Sequence, residues 1–408
     1  MIARLEAQSP YNVARLVKAP PDGKPDPTGE HYRGANALFT DWISRGIITP
    51  DAGPGLYPYS QTYSLGSNRL TRRGFIALGD LRDAGIHTHE ETHPHVREDR
   101  CRLRLETAAD FGLIFMIYAD PAQMIDRLLR DCGAGDPIVV ADQPDGSTHR
   151  LYRCADPERA RGIVRHMAAL ECVVADGHHR TAAAFDTWRK TGDESWAYAA
   201  MAFFNAEASG MTVLPIHRAV TRERTWRFDE FLERLADNFE VLHLPVAGRS
   251  PRQIIGQLES LVHEQHRTDR VAFGMAGPDP GSAFLVETPD PVPAGWPWPK
   301  NSPPVWRGLA TAIFETGILK AILGFSDDQI AAADGLDFTK DASALIEWVR
   351  SGRYQLGFML PPTSLTSIFE VARLGQNLPQ KSTFFFPKLL TGLTIHRMEP
   401  SPSGENIR

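Results

Sequence analysis

The chain has 408 residues, 42% hydrophobic and 23% charged, which is globular composition with apolar mass for two or three domains. Its formal net charge of −6 gives no reason to expect a nucleic-acid surface, and its longest apolar stretches, such as Phe111 to Ala119, are too short to span a bilayer. Met1 to Ser9 contain no apolar run, so no signal peptide is expected. The four widely spaced cysteines (Cys101, Cys132, Cys154, Cys172) fit neither a zinc knuckle nor a dense disulfide framework and read as reduced, buried thiols of a cytoplasmic protein.

In chain order, Pro20 to Pro27 reads as a loop, and Gly34 to Gly46 predicts a helix that stops at glycine. Leu56 to Leu65 and Arg69 to Leu78 predict a hairpin about Gly66-Ser67-Asn68. A helix is expected at Arg100 to Ala109 and a buried strand at Phe111 to Tyr118. Pro157 to Leu170 reads as a helix, Cys172 to Ala175 as a strand and Thr181 to Arg189 as a helix, with strands at Trp196 to Phe204 and Met211 to Pro215. Helices follow at Phe228 to Asn238 and Arg252 to His266, with strands at Phe239 to Leu244, Arg270 to Met275 and Ala283 to Glu287. Beyond a Pro-rich linker, Pro289 to Pro304, one helix is expected over Trp306 to Leu323. A helix at Ala342 to Ser351, a strand at Tyr354 to Leu360 and a helix at Leu365 to Leu374 complete the pattern. The fold class is mixed α+β, in three regions: 1–222, 223–300, and 301–408, the last closing the site.

The stretch Val173 to Ala184 carries the most chemistry. A buried strand ends at Asp176, Gly177 permits an unusual backbone angle, and a helix follows whose first amides point outward without partners. Together with the helix dipole those amides form an anion site. His178, His179 and Arg180 add donors there, Arg180 with a planar fork suited to phosphate. Asp176 is placed to orient a histidine or to hold a phosphate-bound magnesium ion. The plainer alternative is a capped helix whose basic residues face solvent.

The box Val174-Ala175-Asp176-Gly177-His178-His179-Arg180, with Ala182-Ala183, resembles the hallmark of the domain-of-unknown-function family 1015. The likeness runs through Ser9-Pro10-Tyr11-Asn12-Val13, Arg72 to Leu78, His89-Glu90-Glu91-Thr92, Glu98-Asp99-Arg100 and Leu214 to Arg218. It continues in Thr339-Lys340-Asp341-Ala342 and Pro379 to Lys388. The box is also similar to that of the ParB and sulfiredoxin superfamily, which includes free serine kinases. That resemblance implies a ParB/sulfiredoxin-like nucleotide-binding core with an additional C-terminal α/β region, and phosphoryl transfer. The family's usual opening segment with a Pro-Pro-Tyr-Asp motif has no counterpart here, through truncation or loss. Ala310 and Glu315 stand where the family is expected to carry Asp and His.

His87, His89, His93 and His95 fall close together beside Glu90 and Glu91, a grouping that reads as a metal site, as acid–base residues or as an exposed polar loop. Glu90 is the first candidate to take a hydroxyl proton and His89 the second, with Asp99 and Arg100 as an ion pair or substrate contact. Lys381, Ser382, Thr383 and Lys388 offer ammonium and hydroxyl groups to a phosphate, and on the residues alone they read equally as an edge strand with protective lysines; the resemblance implies a site contribution from Lys381 and Lys388, and His217 and Arg218 end a strand expected to face the same cleft. The leading expectation is a small-molecule kinase using Mg2+ with ATP or ADP, acting on the hydroxyl of a serine-like amino acid. Its expected partners are a nucleotide and a small hydroxylated substrate, with no nucleic acid and no membrane, and a homodimer left open. A phosphate-ester hydrolase, a nucleotide-binding switch protein and a His-cluster metalloenzyme are the alternatives.

Overall fold

The computed structural model describes residues 2–20, 23–133, 135–154, 156–221, 227–266 and 270–398. It divides into two compact units, Met1–Thr212 with Pro387–Arg408, and Val213–Phe386. The fold is mixed α+β, as the alternation of periods in the sequence predicts.

The strands of the first unit are β1 (Tyr57–Leu65), β2 (Asn68–Asp80), β3 (Ile86–His87), β4 (Ala109–Asp110), β5 (Ile114–Tyr118), β6 (Val139–Asp142), β7 (Thr148–Leu151), β8 (Cys172–Asp176) and β9 (Tyr198–Asn205). Eight of them form one sheet in the order β3-β8-β5-β9-β2-β1-β7-β6. β1 and β2 are the expected hairpin, with Leu65 opposite Asn68 across a two-residue Gly66-Ser67 turn. β5 is buried at all five positions, which is why its sequence is an unbroken apolar run instead of an alternating one.

Helices α1 (Ile2–Gln8), α2 (Ala14–Val17), α3 (Glu30–Ser44), α4 (Pro94–Thr107), α5 (Met124–Cys132), α6 (Pro157–Met167) and α7 (His178–Thr191) complete this unit. Phe75, Met116, Ile125, Leu129, Ile163 and Met201 are among the residues of a core joining the sheet to α5 and α6, and Leu16, Tyr32, Phe39, Trp42 and Leu103 form another beneath α2, α3 and α4. The loop expected over Pro20 to Pro27 is a loop where described; residues 21 and 22 lie outside the described residues.

Two expectations need correction here. α4 begins at Pro94, six residues before the expected start, because His93 is extended and Pro94 occupies the first helical position. Cys132 and Cys154 are joined as a disulfide, while Cys101 and Cys172 are free and buried. The end of α5 and the segment after β7 bring the pair to a Cα separation of 4.6 Å, a closeness that a 22-residue sequence separation does not disclose.

In the second unit, β10 (Thr212–Leu214) reaches into the unit and is followed by β11 (His217–Thr221), β12 (Glu240–Pro245), β13 (Ala272–Ala276), β14 (Ser282–Glu287), β15 (Leu336–Thr339), β16 (Tyr354–Met359) and β17 (Phe384–Phe386). A six-stranded antiparallel sheet has the order β12-β14-β13-β16-β11-β15. Regions read separately as 223–300 and 301–408 thus contribute neighbouring strands to one sheet; the boundary expected at 222/223 lies outside the described residues. Apolar clusters pack against this sheet, one including Phe231, Phe273, Phe314 and Phe358, the other Leu258, Leu285 and Leu345.

The single helix expected at Trp306 to Leu323 is broken. Pro304–Arg307 and Ala310–Ile313 are short helices separated at Gly308, and Phe314–Ile322 is a π-helix. The wider turn sets Glu315 and Lys320 five residues apart yet 2.9 Å from each other as an ion pair. Gly317 is required there because a Cβ would stand 2.7 Å from the Trp296 ring.

Candidate phosphate-binding site

β8 carries a buried Cys172-Val173-Val174-Ala175 run and ends at the half-buried Asp176. Gly177 follows in the left-handed region at φ 98°, a conformation that an L side chain resists, and α7 starts at once. The first bond of the helix runs from the Thr181 amide to the Gly177 carbonyl at 2.9 Å. The amides of His178, His179 and Arg180 therefore have no acceptor within the helix and point out of its positive end.

Arg180 folds back over this turn. A Cβ on Gly177 would lie 3.0 Å from its Nη2, and a Cβ on Gly112 would lie 2.9 Å from its Nη1. Two glycines thus leave room for one guanidinium. Among the described residues no hydrogen bond or ion pair involves the Arg180 side chain. Burial pulls the guanidinium below its ordinary pKa, the Asp176 carboxylate works the other way, and Arg100 adds to the lowering. The turn opens into a pocket of about 460 Å³ lined by Glu90, Arg100, Asp176, His178, His179 and Arg180, among others.

Glu90 and His178 form a pair, with Glu90 Oε2 3.3 Å from His178 Nδ1. His178 Nε2 and both ring nitrogens of His89 are buried without a partner among the described residues. The two rings meet edge to face with centroids 4.5 Å apart. Burial, reinforced by His178, pushes the His89 pKa down to about 3, so His89 is neutral near pH 7. His89 stands behind His178 and is not among the pocket-lining residues. The backbone amide of His93 donates to His179 Nε2 at 3.0 Å, which puts the proton of a neutral His179 on Nδ1.

The remaining histidines of the acidic segment are spread apart. His87 lies on β3 with Nε2 3.7 Å from Glu171, while His93 and His95 stand at the start of α4 beside His179. No group of three or more metal-ligating side chains occurs among the described residues, so the His87–His95 metal centre is not assembled.

Lys388 arrives from the returning end of the chain, and its Nζ sits 3.3 Å from Asp176 Oδ2. The sequence indicated the lysine but not what holds it. Arg72, 1% exposed, lies between the Phe115 and Phe204 rings and donates to the Pro387 carbonyl at 2.7 Å. Gln61 accepts from Arg72 Nε at 3.0 Å and donates to the Lys388 carbonyl at 2.9 Å. Asp99 is buried, accepting from Tyr32 Oη at 2.9 Å and from Arg100 Nε at 2.7 Å. Arg100, also tied to the Val17 carbonyl, reaches the pocket, whereas Asp99 orients it from behind. Arg104 and Asp110 pair at 2.8 Å on the pocket wall, with His396 3.3 Å from the same carboxylate. Burial alone would raise the Asp110 pKa; the hydrogen bonds from His396 and Arg104 outweigh it and hold the carboxyl below its usual value. Sequence reasoning missed Arg104, Asp110 and Gly112, since a glycine inside an apolar run gave the only signal.

The sequence pattern of the family described as a protein of unknown function, DUF1015, matches residues 1–312. The chain belongs to that family. Similar solved structures include a free serine kinase in complex with AMP, 13% identical, covering 76% of this chain and 86% of that chain at a TM-score of 0.37. A mutant free serine kinase in complex with ADP is also 13% identical, with coverages of 76% and 87% and a TM-score of 0.37. SbnI with a C-terminal truncation, from Staphylococcus aureus, is 11% identical, with coverages of 78% and 85% and a TM-score of 0.35. No curated protein matches the chain. No helix among the described residues is long and apolar enough to cross a membrane.

The other expected site residues of this DUF1015 chain belong to the second unit, where Arg218, Ser382 and His217 are engaged in its fold. Arg218, 4% exposed, donates to the carbonyls of Gln380 at 3.1 Å and Lys381 at 3.0 Å. Ser382 Oγ donates to Thr311 Oγ1 at 2.9 Å, Thr363 Oγ1 donates to the Ser382 carbonyl, and Leu360 N donates to His217 Nδ1 at 3.3 Å. These contacts hold the 379–382 loop, with Thr383 next to it, so Arg218 and Ser382 spend their hydrogen-bonding capacity on the fold of their own unit. Burial lowers the pKa of Arg218 to about 9 and of His217 to about 4.

The two-glycine cradle makes a direct prediction. Gly112→Ala places a methyl 2.9 Å from Arg180 Nη1, which must move because it is the far end of a flexible side chain. The variant is expected to keep its melting temperature within a few degrees and to lose roughly 10-fold or more in phosphate-ligand affinity by calorimetry. Unchanged affinity would mean that the position of Arg180 is immaterial.

Proposed function

We propose that this pocket binds the terminal phosphates of a nucleotide and transfers a phosphoryl group to the hydroxyl of a small molecule, a serine-like amino acid being the first acceptor to try. The observation that carries the reading is the Arg180 guanidinium, without a partner among the described residues, held over outward-facing first-turn amides. Such donors complement a cluster of anionic oxygens, and the flanking Lys388 and Arg100 extend it.

In this reading the acceptor oxygen attacks the terminal phosphorus and the bond from that phosphorus to the bridging oxygen breaks. The nucleotide leaves one phosphate shorter, and the hydroxyl proton passes to Glu90. His178 Nδ1, beside Glu90 Oε2, orients that carboxylate. Magnesium entering with the nucleotide would take Asp176 as a protein ligand; one carboxylate with phosphate and water oxygens is a set that this ion accepts.

The test is incubation of the full chain with ATP or ADP, magnesium and a panel of amino acids and simple alcohols, followed by phosphorus NMR. A phosphomonoester appearing in step with the shortened nucleotide supports the proposal. Glu90→Gln should lower the transfer rate about 100- to 1,000-fold with nucleotide affinity kept. Absence of both phosphorylated product and nucleotide binding would refute the reading.

A further inference from the structure

The first unit carries another concentration of cations, toward the far side of its sheet from β8. In the register of β1 with β2 and β7, Ser60 lies opposite Arg73 on one side and opposite Arg150 on the other. Directly opposed residues of antiparallel strands share a face, so Arg73, Ser60 and Arg150 form one row across three strands. The two arginine backbones are roughly 10 Å apart, twice the strand spacing. The neighbouring row on that face holds Thr71 and Thr62, whose hydroxyl oxygens are 3.0 Å apart. Arg130, on α5, reaches the same place, and these groups line a pocket of about 300 Å³ that no carboxylate lines.

Three guanidinium groups around one pocket repel each other; in the Arg180 pocket, which Arg100 and Arg104 also line, those two are balanced by Asp99 and Asp110. Arg82, Arg97, Arg100, Arg102 and Arg104 each have a carboxylate within ion-pair distance. The side chains of Arg73, Arg130 and Arg150 have neither a hydrogen bond nor an ion pair among the described residues. Arg73 and Arg130 are exposed and Arg150 is half-buried, so in a chain whose acidic residues outnumber its lysines and arginines by 50 to 44 this pocket presents a local excess of positive charge to solvent. The pocket is also braced. The Cys132–Cys154 disulfide ties the end of the helix carrying Arg130 to the segment just beyond the strand carrying Arg150.

We propose that this pocket is a second ligand site, for a small polyanion with two or more linked phosphate groups. Planar guanidinium forks grip phosphate oxygens in pairs, and forks on two strands flanking a hydroxyl row fit a chain of phosphates better than one isolated ion. The site is separate from the Arg180 pocket, with which it shares no lining residue. The linked phosphates can belong to an inorganic chain or to the tail of a nucleotide.

Calorimetric titration of the full chain separates the two pockets and the two sources. Tripolyphosphate, ATP and inorganic phosphate are titrated into the wild type, R180Q and the double variant R73Q/R150Q, with melting temperature as a check on folding. The R180Q chain is expected to retain one saturable tripolyphosphate site that weakens steeply with added salt. R73Q/R150Q should lose that site, by roughly 30-fold or more in affinity, while keeping binding at the Arg180 turn. R73K/R150K, which keeps the charge but not the fork, should fall between. ATP matching tripolyphosphate on R180Q identifies a nucleotide tail; tripolyphosphate binding alone identifies an inorganic chain. If R180Q binds neither ligand, or R73Q/R150Q titrates as the wild type does, the second site does not exist.

Discussion

Arg180→Gln is expected to weaken binding of ATP, ADP or pyrophosphate by about 100- to 1,000-fold while leaving the unliganded chain at least as stable as the wild type. Both halves follow from the same geometry. The Arg180 side chain has no hydrogen bond or ion pair among the described residues, and burial outweighs the attraction of Asp176 to lower its pKa, so its charge is held in place with little return in folding energy. Removing it relieves that desolvation and leaves the turn itself intact, since Gly177 and the first amides of α7 remain. A bound phosphate, by contrast, loses charge-assisted bonds worth about 2–4 kcal/mol. A thermal-shift screen of ATP, ADP, CTP and pyrophosphate, with and without magnesium, reads both effects at once, because a ligand that prefers the folded chain raises its melting temperature. A lower melting temperature without ligand, together with unchanged ligand shifts, would make Arg180 a structural residue and remove the basis of the proposed function.

The parts of this site that were legible in the sequence are those encoded within a few consecutive residues. Asp176 to Arg180 announced a strand end, a turn and a helix start, and the structure has all three. The β1–β2 hairpin was equally readable, since Gly66-Ser67 sits between two Tyr- and Thr-rich runs. What escaped depends on pairing across distance. Gly112 acquires its meaning from Arg180, 68 positions later, and Arg72 acquires its from the carbonyl of Pro387. Lys381 and Lys388 looked alike in the sequence, yet they fall in different units, one within the loop held by Arg218 and the other against Asp176. Local composition distinguishes neither a histidine that lines a pocket, such as His178, from one buried behind it, such as His89, nor two cysteines that pair from two that do not.

The first unit is expected to lose stability as the pH falls from 7 to 5. His89 and His149 are each 1% exposed. Burial pushes the first down to about 3 and the second to about 4, against about 6.5 in an unfolded chain. Between those limits the unfolded chain binds protons that the folded chain refuses, so stability rises with pH across the window and is lost on acidification. Each imidazole contributes a slope of about 1.4 kcal/mol per pH unit, and the pair removes roughly 4 kcal/mol by pH 5, a large share of a typical domain's stability. Asp110 acts in the same direction but lower. Its depressed pKa adds stability above the unfolded value near 3.9, which disappears only as the pH drops through the folded value. The second unit has its own sensor in His217, which burial lowers to about 4, so it should weaken in the same range. Urea unfolding followed from pH 7.5 to 4.5 measures the slope. His149→Gln should flatten it, because an amide can keep the partners now 2.5 Å away at Tyr59 Oη and 3.1 Å away at Ser147 Oγ without taking up a proton. His89→Gln should flatten it as well, at some loss of packing against His178. A midpoint that stays constant between pH 7 and 5 would mean that these rings are protonated in the folded chain, through water or rearrangement, and that their burial is less complete than the packing implies.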